Sequence, residues 1–115
     1  MFPLRRHLFS AAALSHLRRN GYTSVLWNVV PGDWRSPDGW DANCAAALGS
    51  IDWPVIVLHD IESGCLAQLP SFLIRIADLG YAVERRFPDS VVVTRAGRFV
   101  TLADSMVADG MPIED

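Results

Sequence analysis

Gly21-Tyr22-Thr23-Ser24-Val25-Leu26-Trp27-Asn28-Val29-Val30-Pro31-Gly32-Asp33-Trp34 is the stretch on which the fold turns. Residues Tyr22 to Val30 are mostly β-branched, aromatic or aliphatic, so they read as one strand, which Pro31-Gly32 ends. Upstream, Leu8, Ala11, Ala12, Leu14 and Leu17 fall at i, i+3 and i+4 spacings and predict a helix. Its last turn is basic (Arg18, Arg19), with Gly21 as the left-handed residue beyond the end.

Downstream the alternation continues. Asp33 to Gly39 reads as a loop and Asp38 to Leu48 as a helix, with Pro37 at its start and Gly49 at its close. Val55-Ile56-Val57-Leu58 is an unbroken apolar run of strand length, the pattern of a strand covered on both faces. A second amphipathic helix spans about Leu66 to Leu79, with Leu69, Phe72, Leu73, Ile76 and Leu79 on one face and Pro70 confined to its first turn. Gly80 ends it. Tyr81 to Val83 and Ser90 to Thr94 read as short strands, and the chain from residue 96 to 115 as an irregular tail. Helix and strand in strict alternation predict an α/β architecture with parallel pairing over residues 1–95.

Length and charge narrow the function classes. The 115 residues suffice for one small core, and half of them are hydrophobic. A net charge of −3 argues against a nucleic-acid partner, which needs a basic excess. All ten basic residues are arginine. No apolar run approaches the roughly 20 residues of a membrane span. The Leu8–Leu14 stretch is better read as helix than as a leader, so a cytoplasmic location is expected. Cys44 and Cys65 fit neither a metal motif nor a disulfide scaffold and are expected to be reduced and buried.

In parallel α/β sheets, chemistry gathers beyond the carboxyl ends of the strands. There the first strand delivers Asp33 and Trp34, and the second delivers His59 and Asp60. An imidazole just after a buried strand, with a carboxylate to hold its tautomer, is a candidate proton donor or acceptor. Trp34 beside it offers a stacking platform for a sugar ring. His7 and His16 lack the spaced acids of a metal site.

The 21–34 stretch, followed by Val55-Ile56-Val57-Leu58-His59-Asp60, resembles the last two motifs of the polysaccharide deacetylases of the NodB-homology family, carbohydrate esterase family 4. Leu69 to Gly80-Tyr81 is similar to the family's closing helix and its return to the barrel. The resemblance implies a partial (β/α) barrel with parallel strands alternating with helices. The reaction it implies is metal-dependent hydrolysis of N-acetyl groups on carbohydrates, a hydrolysis of carbon–nitrogen bonds other than peptide bonds. It implies His59 as the acid that protonates the leaving amine and Asp33 as its electrostatic partner. Trp34 and Leu58 would wall the acetyl pocket, and Asp60 would belong to the substrate-binding set.

The chain also departs from the family. The early Asp pair and the paired-His motif are absent, since the sequence holds three histidines. The third motif has only an echo in Phe2-Pro3-Leu4-Arg5, and Val30 stands where many members carry a further Asp. The family's zinc or other divalent cation therefore has no ligand set here, and no cofactor is expected in this chain. A truncated, catalytically inactive deacetylase-like domain is the leading expectation, with an N-acetylated sugar as ligand. The alternative is a non-catalytic carbohydrate-binding or oligomerising half-barrel module. A half-barrel would need a second copy or a complementary half-domain to cover its open edges.

Overall fold

A computed structural model describes residues 8–62 and 65–101 of the chain. Three helices, α1 (Ala11–Arg19), α2 (Trp40–Leu48) and α3 (Leu69–Asp78), accompany three short strands, β1 (Ser24–Val25), β2 (Val92–Arg95) and β3 (Arg98–Phe99). The chain divides into two compact units. Among the described residues, the first takes 8–26 and 87–101, the second 27–62 and 65–86.

The first unit is an antiparallel sheet, ordered β1-β2-β3, with α1 leading into it. Ser10 caps α1 through its hydroxyl, which accepts from the Ala13 N–H. Gly21, with φ of +72°, reverses the chain after the basic last turn. β2 and β3 are joined by Ala96-Gly97, both with positive φ, the backbone of a two-residue hairpin turn whose twist suits the flanking strands. Thr94 is fully buried and satisfied. Its hydroxyl accepts from the Ser24 N–H and donates to the Tyr22 carbonyl, bridging the bulge between Ser24 and Val25. Val91, Val92 and Val93 are buried with it.

The second unit packs α2 and α3 around Val29, Trp40, Cys44, Leu48, Cys65, Phe72 and Ile76, with Ile51, Ile56, Leu58, Leu69 and Tyr81 against them. The Trp40 and Phe72 rings meet at a centroid distance of 4.9 Å. Both cysteines are free and buried, and Pro70 sits in the first turn of α3. Two extended segments cross this unit and pair in parallel through one bridge, Val29 with Ile56.

The expected fold is overturned by this topology. A partial (β/α) barrel requires a sheet of parallel strands, whereas the sheet present is three-stranded and antiparallel. The single parallel pairing among the described residues is the Val29–Ile56 bridge. The run from Tyr22 to Val30 is not one strand. Its first half pairs with β2 in the first unit, and its second half turns to residues 55–57 in the second. Residues 81–83 form no strand, and Ser90–Val91 belong to a 3-10 turn. The physical reason is local. A valine run declares burial but not direction, and the hairpin turn at Ala96-Gly97 makes an antiparallel neighbour available at two residues' distance. The expected tail thus begins inside a hairpin. His7 and residues 102–115 lie outside the described residues. The argument for an oligomer from open barrel edges goes with the barrel.

Candidate functional site

The site is built where the two extended segments of the second unit end. Gly32, with φ of +75°, opens a tight turn in which the Arg35 and Ser36 N–H groups both donate to the Gly32 carbonyl. That turn directs Asp33 inward, where it is fully buried. Its two carboxylate oxygens are both engaged by one residue. Oδ2 accepts from the His59 backbone N–H at 2.7 Å, and Oδ1 lies 2.9 Å from His59 Nδ1.

Burial is the largest influence on the Asp33 carboxyl and would raise its proton affinity. The His59 ring and backbone hydrogen bonds, with the attraction of the ring's charge, outweigh it and hold the group below its ordinary value. Asp33 is therefore an ionised acceptor. An ionised carboxylate has no proton to give, so Nδ1 of His59 carries the hydrogen of this bond. Nε2 is left as the ring nitrogen without a protein partner among the described residues, on a side chain that is 43% exposed against 0% for Asp33. The backbone of His59 is held on its other side as well, because its carbonyl accepts from the Cys65 N–H at 3.3 Å and from the Cys65 thiol at 3.5 Å.

Trp34 meets the His59 ring in an edge-to-face arrangement, with centroids 4.8 Å apart and planes at 67°. The Arg35 guanidinium lies 5.3 Å from the Trp34 ring centroid. Asp33, His59 and Trp34 thus come together, as their positions after the two segments predict. Leu58 faces the core and packs against the buried cluster. Asp60 is exposed, with no hydrogen bond or ion pair among the described residues.

One residue the sequence reading passed over is Asn28. Its side chain accepts from the Val55 N–H at 2.7 Å and donates to the Trp53 carbonyl at 3.0 Å, tying the two segments together below the site. Its signal was its residue type. Asparagine is depleted in strands, and one amid a β-branched and aromatic run invites a reason.

No group of three or more His, Cys, Asp or Glu side chains among the described residues could hold a metal ion. The divalent metal implied by the family resemblance therefore does not fit the residues described, and His59 spends Nδ1 on Asp33. Also among the described residues, no helix is long and apolar enough to cross a membrane. Comparisons with protein families, with curated proteins and with solved structures find no match to this chain.

Proposed function

We propose that the Asp33–His59 pair handles the proton in a deacetylase-type site, and that His59 and Trp34 face the N-acetyl group of a carbohydrate. The observation that supports this reading is the double engagement of His59 by one buried carboxylate, with Nε2 left open beside an indole. The resemblance behind it rests on the two motifs at residues 21–34 and 55–60, not on a barrel.

The chemistry follows from the arrangement. With Nδ1–H held by an ionised carboxylate, the imidazolium that forms when Nε2 takes a proton is stabilised without leaving its place. Nε2–H can then donate to a nitrogen as its bond to an acetyl carbon breaks, and the ring returns to neutral. Trp34 offers an apolar wall suited to a sugar face or an acetyl methyl. Attack on the carbonyl needs an activated water, and Asp33, the carboxylate in contact with His59, has both oxygens engaged in holding it. Proton transfer alone contributes roughly 10²–10⁴-fold in such reactions. The reading therefore joins sugar binding with an absence of turnover by this chain on its own.

The test is a titration of the purified chain with a short N-acetylated chito-oligosaccharide, followed through the Trp34 indole and His59 imidazole NMR resonances. Saturable shifts confined to that pair and its neighbours, abolished in Trp34→Ala, are the expected result. Flat resonances at millimolar sugar would sink the reading. In a parallel assay no acetate release is expected, and chelator-sensitive release would overturn the predicted inactivity.

A further inference from the structure

Parallel strands pair by a fixed rule, in which one residue's N–H and C=O bond to the two residues flanking its partner. Val29 obeys it. Its N–H donates to the Val55 carbonyl and its carbonyl accepts from the Val57 N–H, both at 3.1 Å. Continued by two residues in either direction, the same ladder would set the peptide groups of residue 27 against the Trp53 carbonyl and the Val55 N–H. Those of residue 31 would meet the Val57 carbonyl and the His59 N–H. Residue 31 is proline and has no N–H to give.

At both ends a side chain takes the vacant role. The Asn28 carboxamide donates to the Trp53 carbonyl at 3.0 Å and accepts from the Val55 N–H at 2.7 Å, the two bonds the peptide of residue 27 would have made. Asp33 Oδ2 accepts from the His59 N–H at 2.7 Å, in place of the Pro31 carbonyl. A primary carboxamide presents a donor and an acceptor on one edge, as the N–H and C=O of residue 27 would. The Asn28 N–H also donates to the Val55 carbonyl at 3.0 Å beside that of Val29, so the ladder bulges at Asn28 where its side chain takes over.

We propose that Asn28 is the positioning residue of the Asp33–His59 pair. By standing in for a peptide it fixes the register of residues 28–33 against 53–59. That register brings the Asp33 carboxylate level with both the backbone N–H and Nδ1 of His59. A slip of one residue moves a strand by about 3.3 Å, more than a hydrogen bond tolerates. One bridge is a weak guard against slippage. The carboxamide adds two bonds on the side of the bridge away from the site, so the segment is held at both ends. The inference rests on reading His59 as the proton-handling group, but the geometry it concerns is independent of any sugar.

The experiment reads the tautomer of His59 by long-range ¹H–¹⁵N correlation in the uniformly labelled full chain, at a pH where the ring is neutral. In the native chain the proton sits on Nδ1. Asn28→Ala, and Asn28→Asp, which keeps the acceptor for Val55 but loses the donor to Trp53, are expected to lose Nδ1–H as the major form. Asp33→Ala, which removes the acceptor directly, sets the scale. Retention of the Nδ1–H form in either folded Asn28 variant overturns the proposal. Global unfolding of both, including the near-isosteric Asp variant, overturns it too, because Asn28 would then serve the fold rather than the pair. No sugar or turnover enters the measurement, so its outcome stands apart from that of the chito-oligosaccharide titration.

Discussion

Asp33 is a buried carboxylate engaged by the His59 ring and backbone, and that engagement makes it sensitive to acid. Its folded proton affinity is depressed, so below the ordinary aspartate value of about 3.9 the unfolded chain takes up a proton that the folded chain refuses. Stability from this pair is therefore complete above that value and is lost as the pH falls through the folded one. Acid unfolding followed by tryptophan fluorescence should show this loss, and Asp33→Asn should lack that component. Asp33→Ala, which leaves the His59 N–H without its acceptor, should cost about 1–3 kcal/mol at neutral pH by chemical denaturation. Cys44 has the opposite sign. Burial pushes its thiol from 9.0 up to about 11, so between those values the unfolded thiol ionises while the folded one stays protonated, and stability declines as the pH rises. A thiol reagent at pH 8 should leave Cys44 unmodified until denaturant is added.

Among the elements, the helices were the most legible. α1, α2 and α3 begin within about three residues of where periodicity, Pro37 and Pro70 place them, because a helix satisfies its own backbone and needs only local signals. The strands were not legible in the same way. Whether Val92–Arg95 meets a parallel or an antiparallel neighbour depends on a distant partner and on the turn at Ala96-Gly97. That turn is the place to test the hairpin. Gly97 has φ of +84°, and a Cβ there would run into the Arg18 carbonyl. Gly97→Ala should destabilise the first unit by about 1–3 kcal/mol, read as lost protection of the Val100 amide, which donates to the Val93 carbonyl across the hairpin. Ser10→Ala removes a single cap and should cost about 1 kcal/mol.

At the scale of the whole molecule, each unit has its own interior. The first is assembled from both ends of the described chain around Thr94 and the three buried valines. The second holds a continuous segment around Trp40 and Phe72. Phe72→Ala should remove about 3–5 kcal/mol from the second unit, a large share of the stability of any small domain, and collapse the dispersion of its tryptophan indole resonances. The same variant should abolish the sugar-dependent shifts proposed for Trp34 and His59, since their segments pack on that interior through Val29 and Ile56. The Val55–Leu58 run, expected to be covered on both faces, is only half-buried. By itself the sequence determined the helices, the end of the first extended run at Pro31-Gly32, and the approach of Asp33, His59 and Trp34 at the ends of two segments. Each of these follows from residue type and short spacing. Only the tertiary structure decided that the run from Tyr22 to Val30 serves two units, that the sheet is antiparallel, and that the Asn28 carboxamide bonds to the backbone of Trp53 and Val55. Those outcomes depend on which distant backbone supplies the missing hydrogen-bond partner, and no local pattern encodes that choice.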